Sequence, residues 1–260
     1  MNDVVRYEKI AEEKVAILRI DRPEASNAIN TAVMEGLAAG LAQAREDVDV
    51  HVLILTGTGN RVFIAGGDLK EFHAELTSEE IVYEKMSQMR RVLEEIAHFP
   101  KPVVAAVNGA ARGGGGEVAS ACHFRIGAET ATVGFVQVKL GIAPGWGGGI
   151  CLQRIVGRQK ALSLILSGDV LDAHRAERIG FFDEVVPAES LMAHAKTFAK
   201  RLANNSPQAV QSLLAQWREA DTLPLKEAME RESRLCAKLW MTPEHDAAVE
   251  AFLKRKERKG

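Results

Sequence analysis

The chain has 260 residues, 47% of them hydrophobic, and 33 Lys and Arg stand against 35 Asp and Glu for a net charge of −2. That length allows one large domain, or one domain with an appendage. The charge argues against broad nucleic-acid binding and against a polybasic membrane surface. The three cysteines, Cys122, Cys151 and Cys236, form no CxxC pair, so a disulfide framework or zinc site is not expected and a reducing, cytoplasmic setting fits. The start, MNDVVRYEKIAEEK, is too charged for a signal peptide. No apolar run is long enough to span a bilayer.

In chain order, VVRY and VAILRI are two β-rich runs joined through Ala11 to Lys14, which predicts a hairpin. Asp21-Arg22-Pro23-Glu24 breaks the second strand. Asn30 can cap a helix with Val33, Met34, Leu37 and Leu41 on one face. HVLILTG (51–57) reads as a buried strand, followed by a loop ending in Gly66-Gly67-Asp68. Thr77-Ser78-Glu79-Glu80 has the form of a capping box for a helix to about Phe99, where Pro100 and Pro102 stop it.

VVAAV (103–107) is another buried strand. Asn108-Gly109 ends it, Gly113 to Gly116 follow, and Glu117 leads into an apolar helical segment. A strand, a glycine turn and a helix start leave free backbone N–H groups pointing one way, and the helix dipole adds partial positive charge there. Such a place stabilises an anion, or an oxygen that becomes anionic during reaction. The Glu117 carboxylate lies about one turn inside the helix, and helical side chains lean back toward the N-terminus. FRIGAE and ATVGF are short β-rich pieces. LGIAPGWGGG (140–149) is a further glycine turn, with a helix from about Ile150, and GFFDEVV (180–186) is the last strand. Helices are expected at 190–203, 207–219, 224–240 and 244–258, the last capped by Thr242-Pro243.

Other chemistries fare poorly. Gly114-x-Gly116-x-x-Ala119 formally matches the dinucleotide fingerprint. It lies mid-chain, however, and about six residues separate it from the strand end. No Lys-Ser/Thr pair follows the glycines, so a P-loop fails, and there is no GxSxG elbow. The seven histidines show no metal-ligand spacing and read as surface or capping residues.

Taken together, DRPEASNAIN (21–30), RVFIAGGDLKEF (61–72), KPVVAAVNGAARGGGGE (101–117), LGIAPGWGGG (140–149) and AERIGFFDEVV (176–186) resemble the enoyl-CoA hydratase/isomerase, or crotonase, family. The motifs keep order and spacing over about residues 4–203, and AFLKRK (251–256) also looks like that family's C-terminus. The resemblance implies an α/β crotonase (ClpP-like) spiral of ββα units. It implies a catalytic core at 1–200 and a helical C-terminal region at 201–260 that takes part in oligomerisation and completes the coenzyme A site. Trimers or dimers of trimers are the implied assembly, and an acyl-CoA thioester the implied substrate. No metal or redox cofactor is called for, coenzyme A being part of the substrate.

By motif position, the N–H groups of Gly67 and Gly114 would hold the thioester oxygen as an enolate forms. Each such preorganised donor is worth ~2.7–4 kcal/mol. Glu117 falls on a catalytic carboxylate. Ala65, Asp68 and Lys70 fall near bound substrate and coenzyme A, as do Gly145 and Trp146, while Asn27 lies in the loop that shapes the site. The second glutamate of two-carboxylate hydratases falls on Gln137, which cannot take a proton. Trp146 replaces a small residue and would crowd the nucleophilic water. GFVQVKLGIAPGWGGG (134–149) looks more like members that decarboxylate short branched malonyl-CoA derivatives. The expectation is therefore decarboxylation of a short 2-carboxyacyl-CoA, with hydration of a 2-enoyl-CoA as the alternative. A nicotinamide dehydrogenase and a non-catalytic coenzyme A-binding scaffold are the rivals from other classes.

Overall fold

The computed structural model describes residues 3–220 and 222–257, without the side chains of 255–257. The chain divides between Ala203 and Asn204 into two compact units.

In the first unit, β1 (Val5–Ile10) and β2 (Val15–Ile20) form the expected hairpin, with a 3-10 turn at Ala11–Glu13. The helix α1 (Thr31–Glu46) is capped by Asn30, whose side chain accepts from Val33 N at 3.0 Å. Its Val33, Met34, Leu37 and Leu41 are all buried. Lys101, itself buried, donates to the carbonyls of Ala44 and Asp47 and so satisfies the other end of this helix. Next come β3 (Val52–Gly57), β4 (Val62–Ile64), α2 (Leu69–Glu75) and α3 (Glu79–Ala97). Ser78 rather than Thr77 caps α3, accepting from Ile81 N, which moves the expected cap by one residue.

β5 (Val103–Val107), β6 (Ala110–Arg112) and α4 (Gly114–Ala121) carry the central glycine run. β7 (Phe124–Ala128) and β8 (Thr132–Gly134) precede a 3-10 turn at Val136–Leu140. Then follow α5 (Gly148–Val156), α6 (Arg158–Ser167), β9 (Val170–Asp172), α7 (Ala173–Arg178), β10 (Glu184–Val186) and α8 (Leu191–Ala203). Of the expected strand at 180–186 only the last three residues are a strand.

Two sheets result. The larger has the order β1-β2-β3-β5-β7-β10, parallel except for the first hairpin. The smaller has the order β4-β6-β8-β9, with only its last pair antiparallel. From β3 onward the chain puts one strand in the larger sheet, the next in the smaller, and then a helix. Three such passes give the spiral of ββα units. Helices and the second sheet shield both faces of β3 and β5, whose residues are all buried, and this explains why both read as unbroken apolar runs. His123 departs from the surface reading of the histidines. Its Nδ1 accepts from Val103 N at 3.0 Å, and burial pushes its pKa down to about 4.

The second unit consists of α9 (Pro207–Ala220), α10 (Leu225–Trp240) and α11 (Pro243–Glu257). None of its described residues is buried. Residue 258, the expected end of the last helix, lies outside the described residues, as do the side chains of Arg255 and Lys256 in AFLKRK.

Candidate active site

Two glycine loops meet at one small cavity. The first, Ala65-Gly66-Gly67, leaves β4 and enters α2. The second, Gly113-Gly114, leaves β6 and enters α4. Gly66 has φ +112°, and a Cβ there would lie 3.2 Å from Arg112 O and 3.6 Å from Gly114 N, so the two loops run against each other. Among the described residues, the N–H groups of Gly67 and Gly114 donate to no acceptor. Both glycines line the cavity. Two unpaired donors at two helix starts, facing one small space, can bind one oxygen that gains negative charge.

Glu117 sits in the first turn of α4 and is 2% exposed. Its Oε2 accepts from the backbone N–H of Trp146 and of Gly148, both at 3.0 Å. Its Oε1 accepts from Gln137 Nε2 at 2.9 Å. Burial pushes the carboxyl above the usual carboxylate range. The N–H groups of Gly148 and Trp146 and the Gln137 amide pull the other way without cancelling it. The close packing of α5 on α4 that makes these bonds needs Gly148, where a Cβ would fall 2.2 Å from Glu117 Cα.

Gln137 is buried, and its Oε1 has no partner. The Trp146 ring, 4% exposed, lies against Gly114: a Cβ built on that glycine would stand 1.9 Å from Cζ3. The cavity holds about 130 Å³. That is near the ~150 Å³ of an apolar cavity that takes benzene, room for a group of a few carbons. Its apolar wall includes Phe72 of α2, Met86 of α3, and Leu140 and Ile142 at the rim.

Of the residues singled out in the sequence, Gly67, Gly114, Glu117, Gln137, Ala65, Gly145 and Trp146 all line this cavity. Asn27, Asp68 and Lys70 do not. Asn27 is 1% exposed, and its side chain bonds only backbone: Nδ2 donates to Thr58 O and Val62 O, and Oδ1 accepts from Arg22 N. It holds the loop, while the neighbouring Ser26 O accepts from Ala65 N. Asp68 caps α2 and pairs with Arg22 at 3.1 Å. Lys70 is exposed on α2. Met86 and Phe72 carried no local signal. They reach the site because α2 and α3 follow the first glycine loop, and a helical apolar stripe does not say which of its members face a cavity.

The family model for enoyl-CoA hydratase/isomerase matches residues 10–259. The chain belongs to that family. It is an acyl-CoA enzyme, as the family's members are. The family's relatives include a crotonyl-CoA hydratase of Syntrophomonas wolfei, 35% identical over 96% of this chain and 97% of that one. A short-chain-enoyl-CoA hydratase of Clostridium acetobutylicum is 34% identical over 96% of this chain and 95% of its own. Among solved structures, an enoyl-CoA hydratase from Bacillus anthracis superposes with a TM-score of 0.92, at 32% identity and 97% coverage of both chains. The fold is that of the crotonase family, as the sequence motifs implied. No helix among the described residues is long and apolar enough to cross a membrane.

Proposed function

We propose that the protein decarboxylates a short 2-carboxyacyl-CoA thioester. The observation that carries this reading is the partner of Glu117: an uncharged amide, Gln137, where a hydratase of the two-carboxylate kind needs a second carboxyl. Loss of CO₂ generates the enolate directly, so no base has to remove an α-proton. Gly67 and Gly114 N–H hold the enolate oxygen. Glu117, whose neutral form is favoured by burial, returns the proton to the α-carbon. An uncharged Gln137 can stand beside a substrate carboxylate without like-charge repulsion. Trp146, packed on Gly114, keeps water from the reacting carbons. The small cavity suits a short acyl chain.

In the same reading Ala65 and Lys70 touch the coenzyme A, and Asn27 and Asp68 hold the loop that carries them. No cofactor beyond the coenzyme A of the substrate takes part. The active form is a homo-oligomer, a trimer or a dimer of trimers in the cytoplasm, built through the C-terminal region. Supporting this, the second unit exposes Leu213, Trp217, Leu225 and Trp240 and buries none of its described residues.

Hydration of a 2-enoyl-CoA is the second reading. The names of the relatives support it better than they support decarboxylation. The residues at 137 and 146 weigh the other way. The deciding experiment offers the purified protein ethylmalonyl-CoA, methylmalonyl-CoA and crotonyl-CoA in parallel. Decarboxylation predicts CO₂ from the first two and slow loss of enoyl absorbance from the third. Fast hydration of crotonyl-CoA without CO₂ release would replace the first reading by the second.

A further inference from the structure

The amide of Gln137 has one end engaged and the other idle. Nε2 donates to Glu117 Oε1 at 2.9 Å, while Oε1 is buried without a partner, in a residue that lines the cavity. The amide carbon, nitrogen and oxygen lie 3.6, 3.7 and 3.9 Å from the position of a Cβ on Gly113, so the whole group stands over the second glycine loop. A buried acceptor without a donor is unfavourable. In this orientation the unpartnered atom is an acceptor, which suits a water or hydroxyl and repels a carboxylate.

A half-turn about the last side-chain bond exchanges Oε1 and Nε2 without changing the shape of the group. After that turn, Oε1 faces Glu117 and can only accept, so Glu117 must bring a proton. The bonds from Trp146 and Gly148 N–H both fall on Glu117 Oε2. Oε1, which accepts neither of those two bonds, can carry that proton. The turned amide then puts N–H donors where the unpartnered oxygen stood, which suits a carboxylate.

We propose that Gln137 is the residue that selects a carboxylate-bearing substrate, and that it does so by turning its amide as Glu117 takes up a proton. The inference rests on the decarboxylase reading. Substrate carboxylate and proton arrive together. When the bond from the α-carbon to the carboxylate breaks, its electron pair passes into the enolate and CO₂ departs. The enolate then takes the proton from Glu117 Oε1 onto its α-carbon, and Glu117 is left ionised. The thioester product has no carboxylate, so the amide turns back and Nε2 again donates to Glu117. The net step consumes one proton and one 2-carboxyacyl thioester and yields CO₂ and the acyl thioester.

Among the described residues that line the cavity, Glu117 is the only charged side chain, and on α2 Glu71 is engaged by Thr31 while Lys70 is exposed. Glu117 is the only titratable side chain of α4, and β4 has none. On α5, Cys151 is close enough to feel the Glu117 charge, and burial holds its thiol neutral. On α3, Arg90 passes Gly147 and pairs with Glu94. On β6, the Arg112 guanidinium bonds Thr132. Lys139, on the turn that carries Gln137, is exposed.

The test uses 2-sulfobutanoyl-CoA, whose sulfonate stands in for the carboxylate and cannot leave as CO₂. Butanoyl-CoA is the control, since it carries the same titrating phosphates. Calorimetry in buffers of different protonation enthalpy, from about pH 6 to about pH 9, counts protons taken up on binding. The unmutated protein should take up close to one proton with the sulfonate, above the control, wherever free Glu117 is ionised. Glu117→Gln imitates the protonated state. It should take up none and, at the alkaline end, bind the sulfonate at least ~10-fold tighter than the unmutated protein, the equivalent of about one pKa unit. Gln137→Met, of similar size, should lose both the uptake and the preference for sulfonate over butanoyl-CoA. Sulfonate binding without proton uptake, or uptake that survives in Gln137→Met, overturns the inference. CO₂ release from ethylmalonyl-CoA separates the two levels. Release without proton uptake removes the amide switch alone. Absent release, together with hydration of crotonyl-CoA and no sulfonate binding, removes the decarboxylase reading and the switch with it.

Discussion

Exchanging Gly114 for alanine keeps the backbone N–H and adds one methyl group where the Trp146 ring lies. The new Cβ would stand 1.9, 2.4 and 2.8 Å from Cζ3, Cη2 and Cε3 of that ring. Ordinary contact begins near 3.4 Å, so the ring has to retreat by about 1.5 Å. It is 4% exposed and has little room to do so. Overpacking of this kind costs about 1–3 kcal/mol. Trp146→Ala alone should cost about 3 kcal/mol, the lower end for a buried aromatic, because one face already borders the cavity. With the ring gone, the three atoms nearest the methyl at 114 are gone with it, and the double variant should be no less stable than Trp146→Ala. The coupling energy is then about −1 to −3 kcal/mol, measured by urea denaturation of the four proteins. A coupling within about 0.5 kcal/mol of zero, the ordinary scatter for independent sites, would refute the packing of Trp146 on the second glycine loop. Gly114→Pro deletes the N–H but brings a Cβ into the same collision. It therefore cannot separate donor from space, and the alanine cycle is the sharper probe.

Glu117→Gln should lower the rate on whichever thioester proves to be turned over by at least ~100-fold, the range of a positioned acid or base, and an unchanged rate would make Glu117 a bystander. It should also change stability with pH. Burial raises the native carboxyl above its unfolded value, so the native state holds the proton longer, and the stability of the unmutated protein falls as pH rises between the two values. The glutamine variant lacks that loss, so its advantage in urea midpoint should grow from acid to alkaline pH; a constant difference would contradict the shift. Asn27→Ala removes three buried bonds to backbone at a position of φ +53° and should cost about 2–4 kcal/mol. KM for the thioester should hardly change in the folded fraction, whereas a large rise in KM with intact stability would make Asn27 a binding residue. Light scattering in dilute solution should give the mass of a trimer or hexamer, and a monomer mass would remove the assembly proposed for the C-terminal helices.

Local chemistry is legible along the chain. β3 and β5 announce themselves as unbroken apolar runs because both of their faces are covered. Asn30 announces the start of α1 because a short polar side chain satisfies an N–H that the helix cannot. The two glycine loops and Glu117 could be read for the same reason: backbone N–H groups at a helix start are free whatever surrounds them. Of the smaller sheet only β8 could be read, inside ATVGF. β4, β6 and β9 have three residues each, too few to show a period, and each is a strand only because another chain segment lies beside it. The cap at Ser78 in place of Thr77 is likewise a choice between neighbours of equal chemistry. Sequence alone set the candidate reacting groups: two glycine donors, one carboxyl, one amide and one indole. Tertiary structure alone decided that Gln137 donates to Glu117, that Trp146 lies on Gly114, and that Asn27 bonds backbone away from the cavity. Those contacts join segments far apart in the chain. A side chain's chemistry is carried with it, but its partner is fixed only when the loops close.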